Sequence, residues 1–381
     1  MNVNEPFLGS GTISNTVSRF AITVMLPARK TESSHQDAPD DCAATQSHDV
    51  AISAVIQVHL TKLADQLNEK PAIVMWPDGD MLSYRELEVR SNRCAHLFRA
   101  LGLGLGDSVA LFMANQLELF PLLWAAQRTG LRYTLVSCRL TAVEAAYIVR
   151  NCDARVLVYS AGLKHVAARI TGPALRHRMA VGATGMSDVF LDARLEYSLA
   201  GCPDAPVEDE VEGQYVTYSF VTSGFPKGSP PEVSEVPFGA GLPLDHLLAA
   251  KFGLDVTTRY LNPGPLHHVA PLSWALATIR NGGTVIVMDR FDAQGVLGAI
   301  ERHRVTHAQF VPTMFVRMLK LPRECRCRYD VSSLLHVVHG AVACPVSVKE
   351  RMIDWFGPKL IEYCGTEARP FARVAGTEAA L

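Results

Sequence analysis

The stretch Tyr218-Ser219-Phe220-Val221-Thr222-Ser223-Gly224-Phe225-Pro226-Lys227-Gly228 decides the reading of this chain. It closes an apolar alternating run, Gln214 to Tyr218, that predicts a short strand. Hydroxyls at Ser219, Thr222 and Ser223, glycines at Gly224 and Gly228, and the ammonium of Lys227 crowd into the segment that follows. Such a composition suits a phosphate, because glycine lets backbone N–H groups approach closely, hydroxyls donate and lysine adds a point charge. The spacing is not that of the Walker loop: Gly224 lies three residues before Lys227, and Gly228 rather than Ser or Thr follows it. The residues alone also fit an ordinary Gly/Pro/Ser turn after a strand.

Composition narrows the class. The chain has 381 residues, 48% of them apolar and 19% charged, enough for more than one folding unit with a sizeable core. A net charge of −2 gives no basic surplus for nucleic acid. Nine scattered cysteines fit neither a disulfide framework nor a zinc spacing, so free thiols in a reducing cytoplasm are expected. Phe20 to Pro27 is too short to span a membrane, and no transmembrane segment or signal peptide is expected.

Outward from the loop, strands alternate with helices. Residues 1–50 show no sustained period and read as a mobile extension. From Ala51 the pattern gives a helical stripe, then a strand at Pro71 to Met75. Ser83/Glu86 and Thr141/Glu144 form two capping boxes ahead of helical runs. Strands are expected at Ser108 to Met113, Tyr133 to Ser137 and Arg155 to Tyr159. This is a first α/β unit, 51–172, followed by a crossover at 173–213 and a second unit, 214–367. In the second unit, Ser229 to Pro243 reads as a flexible excursion before the alternation resumes and runs to Tyr363. Strands separated by helices imply parallel pairing, hence an α/β fold of two parallel-sheet subdomains.

Three further segments carry candidate chemistry. Tyr363-Cys364-Gly365-Thr366-Glu367 puts a hydroxyl and a carboxylate beyond a strand's C-terminal end, where open parallel sheets bind ligands. A loop acid fixed to a helix start is the plain alternative. In His339-Gly340-Ala341-Val342-Ala343-Cys344-Pro345 the small residues Gly340 and Ala341 admit a flat group, and Pro345 starts a helix. Pro265-Leu266-His267-His268 invites a zinc reading, but no third ligand stands at metal-site spacing, and a plain structural histidine is favoured over a metal ligand.

These segments together resemble the adenylate-forming superfamily of acyl-CoA synthetases, luciferases and peptide-synthetase adenylation domains. Tyr218, Ser219, Thr222, Gly224, Pro226, Lys227 and Gly228 match its phosphate loop, with Ser223 for a threonine, Phe220 for a serine and Val221 for a glycine. The resemblance implies that Ser219, Thr222, Ser223, Gly224, Lys227 and Gly228 hold phosphates. It implies that Gly340, Ala341 and Tyr363 hold adenine, that Thr366 binds the α-phosphate and that Glu367 holds Mg²⁺. His268 would border the acyl tunnel and gate the substrate carboxylate. Val311-Pro312-Thr313-Met314-Phe315 and the Leu-His-His segment look most like fatty-acid CoA ligases. The implied activity joins a carboxylic acid (a fatty acid) to CoA through an acyl-adenylate, with ATP, Mg²⁺ and CoA. The family's small C-terminal domain has no counterpart after Glu367, and 368–381 reads as a tail outside the resemblance. That departure implies a truncated, impaired ligase; the alternative is a non-catalytic nucleotide- or acyl-binding remnant. A Rossmann oxidoreductase is disfavoured, because the glycines at 102–106 precede a strand instead of following one.

Overall fold

In the computed structural model, which describes residues 22–23, 59–182, 193–219, 226–233, 235–362, 364–366 and 369–373, both capping boxes form. Glu86 N–H donates to Ser83 Oγ at 3.2 Å while Ser83 N–H donates to Glu86 Oε2 at 2.9 Å. The helix Tyr84–Ala100 follows, burying Leu87, Cys94, Leu97 and Phe98, and the chain turns off at Gly102, where φ is +77°. Thr141 and Glu144 start the helix Ala142–Asn151 in the same way.

Two parallel sheets result. The first runs, edge to edge, Ala193–Arg194, His177–Val181, Ala154–Ser160, Ser108–Phe112, Arg132–Leu135 and Gln214–Tyr215. The second runs Leu360–Glu362, His336–His339, His307–Phe310, Arg259–Asn262, Thr284–Met288 and Pro71–Trp76, and ends on the antiparallel strand Met81–Ser83. The sheets therefore interleave along the chain instead of dividing at 172 and 214. Pro71–Trp76, expected in the first unit, pairs with Thr284–Met288 of the second sheet. His177–Val181 and Gln214–Tyr215, expected in the crossover and the second unit, belong to the first.

Both sheets wind alike. From Ser108–Phe112 the chain steps to Arg132–Leu135 on one side, then returns to Ala154–Ser160 on the other. From Arg259–Asn262 it steps to Thr284–Met288, then back across to His307–Phe310. Each reversal is a topological switch point, whose C-terminal crevice is where such sheets bind ligands. One apolar cluster joins the sheets, with Val109 and Val156 from the first, Val285 and Val287 from the second, and Trp124 and Trp274 from the helices between them. The helix Leu119–Arg128 is buried at every residue. A small third sheet pairs Ile22–Thr23 with Arg369–Arg373, which in turn pairs with Cys364–Thr366.

Two arginines inside this core are neutralised by acids from distant segments. Arg128 meets Glu88 at 2.6 Å and Glu210 at 3.4 Å. Arg280 pairs with Glu212 and, at 3.0 Å, with Asp245, with the Trp124 ring 5.0 Å from its guanidinium. Glu212 also accepts from the N–H groups of Gly239 and Gly241 at 2.9 and 3.2 Å. This overturns the expected flexible excursion at 229–243: Phe238 is 5% exposed and lies 5.1 Å from the Arg128 guanidinium. The backbone there is pinned because a buried carboxylate needs its N–H groups. Removing one partner of a buried pair strands the other charge, so Arg280→Met is expected to destabilise the chain by about 3–5 kcal/mol, read from urea unfolding.

Candidate functional site

The C-terminal edges of the two sheets meet, and a single side chain ties them. Asn115 follows the strand Ser108–Phe112. Its Nδ2 donates to Gly264 O at 2.9 Å and to Met288 O at 2.8 Å, and its Oδ1 accepts from Leu266 N–H at 3.0 Å. Gly264 and Leu266 belong to the loop leaving the strand Arg259–Asn262, and Met288 ends the strand Thr284–Met288 of the second sheet. Beside it the first switch point is filled by its own polar groups: Ser160 Oγ donates to Gln116 Oε1 at 2.5 Å and accepts from Ala114 N–H at 3.2 Å.

The second sheet's edge collects several of the sequence candidates. His268 ends the loop after Arg259–Asn262 and is the N-cap of the helix Val269–Arg280, exposed, with its ring 4.4 Å from that of His267. Burial, reinforced by His268 and Arg139, pushes the His267 imidazole down to about 3, so it is neutral at physiological pH. Among the described residues no third metal ligand joins this pair. Gly340 and Ala341 end the strand His336–His339, and Ala341 is exposed with φ +73°. An alanine held left-handed costs about 1–2 kcal/mol, so the surrounding structure over-determines this turn.

His339, one step earlier, is wholly buried, and neither ring nitrogen has a hydrogen-bond partner among the described residues. Its ring meets Phe315 edge-on at 5.3 Å, and burial pushes its pKa down to about 4. In the next strand Glu362 accepts from Cys344 N–H at 3.0 Å and pairs with Lys349 at 2.5 Å. Burial works against its charge, yet those two donors hold its carboxyl below the usual range.

The phosphate-loop candidates sit on a hairpin, Thr217–Ser219 against Lys227–Ser229. The expected single strand from Gln214 to Tyr218 is thus split: its first part lies in the first sheet and its last part in this hairpin. Tyr218 OH donates to Asn151 Oδ1 at 2.7 Å, and its ring covers Gly228 so closely that a Cβ there would come within 2.6 Å of it. Gly228 is required by this packing. Among the described residues no hydrogen bond joins the hairpin to His268 or Gly340. Thr222, Ser223, Gly224, Tyr363 and Glu367, like Phe220 and Val221, lie outside the described residues, and of Ser219, Lys227 and Thr366 the backbone alone is described.

Sequence reasoning passed over Asn115 and Asn262. A lone asparagine has no local signature; the available signal was its place directly after a buried strand or at its end. Among the described residues no helix is long and apolar enough to cross a membrane.

The family model described as "AMP-binding enzyme" matches residues 60–380, which carries it past Glu367 into the segment expected to be a tail. The long-chain-fatty-acid–CoA ligase FadD13 of Mycobacterium tuberculosis is 27% identical over 75% of this chain and 54% of its own length. A feruloyl-CoA synthase of an Amycolatopsis species is 30% identical, over 77% of this chain and 56% of its own. The chain thus spans little more than half of these curated relatives. The fold is that of the N-terminal domain of FACL13 from M. tuberculosis, with a TM-score of 0.65 and 22% identity over 82% of this chain and 74% of that one.

Asn115→Leu removes three hydrogen bonds and strands two carbonyls and an N–H; about 2–4 kcal/mol of stability should be lost in urea unfolding. The buried histidines give a pH signature. His267 at about 3 and His307 and His339 at about 4 bind protons in the unfolded chain near pH 6.5 but not in the folded one. Their contribution is complete above pH 6.5 and lost as pH falls towards 4. Melting temperature across that range should fall with pH, and less steeply in His339→Leu.

Proposed function

The chain belongs to the AMP-binding enzyme family, and from that membership we propose that it activates a carboxylic acid with ATP, as an acyl-CoA ligase does. The family uses ATP and CoA as co-substrates. The observation that carries the reading is the second sheet's edge, where His268, Gly340 and Ala341 leave the ends of parallel strands at and beside a switch point. The residues fit a nucleotide there: the left-handed turn at Ala341 exposes backbone beside the small Gly340, as a flat base requires.

In this reading Gly340, Ala341 and Tyr363 take the adenine. Ser219, Thr222, Ser223, Gly224, Lys227 and Gly228 take the phosphates, and Thr366 takes the α-phosphate. Glu367 would hold Mg²⁺, a hard cation that takes carboxylate and phosphate oxygens, and when bound it offsets phosphate charge. This assignment rests on the sequence match alone. A carboxylate oxygen of the substrate, admitted past His268, attacks the α-phosphorus, and pyrophosphate leaves with the electron pair of the broken P–O bond. The thiol of CoA then adds to the acyl carbonyl, AMP departs and the thiol proton passes to solvent. Lys227 and the loop N–H groups favour the first step by meeting charge as it develops on the phosphates. A fatty acid is the proposed substrate, from the Leu-His-His and Val311–Phe315 segments.

A second reading is favoured by Phe220 and Val221, which replace a donor and a glycine in the loop: a protein that binds nucleotide or acyl chain without catalysis. ATP–pyrophosphate exchange with a series of fatty acids separates the two. Exchange is expected, and Lys227→Ala should weaken ATP binding by roughly 10- to 100-fold, the worth of a charge-assisted bond. ATP-dependent thermal stabilisation without exchange would leave only the binding reading.

A further inference from the structure

The two switch-point crevices are wound alike but furnished differently. In the first, Gln116, Ser160 and Ala114 N–H satisfy one another and Asn115 spends all its bonds on neighbouring loops. In the second, Asn262 ends the strand Arg259–Asn262, is 0% exposed, and has no hydrogen-bond partner at either amide atom among the described residues. Leaving a buried amide unpaired is costly, and natural chains rarely keep one without a use.

The direction of Asn262 follows from the strand. Tyr260 stacks on Trp274 of the Val269–Arg280 helix at 5.6 Å, and Leu261 packs on the opposite face with Val296 and Phe315. Alternation returns Asn262 to the Trp274 side, at the C-terminal rim. There its Oδ1 lies 4.0 Å from the point a Gly264 Cβ would occupy, with Pro271 Cγ at 3.5 Å and Met314 Cε at 3.9 Å. Pro271 and Met314 belong to the first turns of the two helices that leave this switch point for opposite faces of the sheet. Asn262 therefore stands in the crevice itself. Proline at the third position of one helix and the first of the other removes N–H donors from both starts. The side chains nearest Gly264, those of Pro271 and Met314, are apolar, and the amide of Asn262 stands beside them.

We propose that Asn262 is a specificity-determining residue at the second switch point, hydrogen-bonding a neutral oxygen, hydroxyl or oxo, carried on the carbon skeleton of the acyl substrate. The inference rests on the adenylate-forming reading and deepens it from carboxylic acids in general to oxygenated ones. An amide donates and accepts, so it matches a hydroxyl in either sense and an oxo group as donor. A site with a buried polar group discriminates against the analogue that lacks the partner, because the group is then left unpaired.

The test uses the full chain and isothermal titration with acyl-sulfamoyl adenosines of one chain length, stable mimics of an acyl-adenylate. One compound is unsubstituted and the others carry a single hydroxyl or oxo group at successive carbons. At least one oxygenated compound should bind roughly tenfold more tightly than the parent, the worth of one buried hydrogen bond. Asn262→Leu should erase that preference, leave the parent's affinity within twofold, and keep or raise the melting temperature of the free chain. Binding of all compounds with equal affinity, or a preference that survives Asn262→Leu, overturns the subsite and leaves the adenylate reading standing. Failure of every compound to bind overturns both. Should Asn262→Leu not fold, the wild-type series decides alone.

Discussion

The architecture depends on one buried cation. Arg280 sits in the last turn of the helix Val269–Arg280, 5% exposed, and can be there only because Glu212 and Asp245 come to it. Taking a guanidinium and two carboxylates out of water is costly, and burial pulls the Asp245 carboxyl towards its protonated form. Geometry and added hydrogen bonds must offset that cost. They do so by recruiting backbone: Gly239 and Gly241 turn their N–H groups onto Glu212, and both glycines have positive φ, +93° and +73°. The segments around 212 and 237–245 are thus fixed to one helix end. At about 1.5 Å per residue the helix then sets its other end, and His268, about 18 Å away.

Arg128 plays the matching part for the first sheet. It closes the buried helix Leu119–Arg128 and joins Glu88 of the Tyr84–Ala100 helix to Glu210, which also meets His59 at 2.8 Å. Glu210 and Glu212 flank Val211, whose bridges to Thr129 and Pro237 tie the same short segment to both regions. One five-residue neighbourhood, 208–212, thereby neutralises an arginine from each half of the core. The sheets do not merely abut through apolar contact; counter-ions for both arginines come from one short segment, Glu210 for Arg128 and Glu212 for Arg280.

Local features of this fold were legible in the sequence and long-range ones were not. The Ser83/Glu86 and Thr141/Glu144 boxes depend on residues three positions apart, and both form as expected. Sheet membership depends on pairing between segments such as Pro71–Trp76 and Thr284–Met288, and nothing in a buried strand's own apolar run names its neighbour. The loop at 229–243 was misread for the same reason. Its glycines and prolines carry the composition of a flexible linker, and only Glu212, far off in sequence in its own strand context, reveals that their N–H groups are needed. His268, Gly340 and Ala341, which motif resemblance singles out, follow strand ends of the second sheet. Asn115 and Asn262 were missed, since the importance of the first lies in the distant backbone groups it meets and that of the second in meeting none among the described residues.

The contrast between the two sheets explains how a repeated winding supports one binding edge. A switch-point crevice exposes strand ends and helix starts, so it must be either filled or used. The first is filled: Ser160, Gln116 and Asn115 satisfy each other and the adjoining loops. Asn115 ties this side of the first sheet to Gly264, Leu266 and Met288 at the rim of the second. The left-handed Ala341 stands after another strand of that sheet, His336–His339, in a conformation that persists only where its surroundings over-determine it. Unmet polarity is not confined to either sheet: Arg132 and Tyr133 in the first keep buried polar atoms without a partner among the described residues, as Asn262 and His339 do in the second. What differs is the rim, where an asparagine following a first-sheet strand satisfies backbone groups of the second, so the second sheet's loops are positioned by a residue outside its own strands.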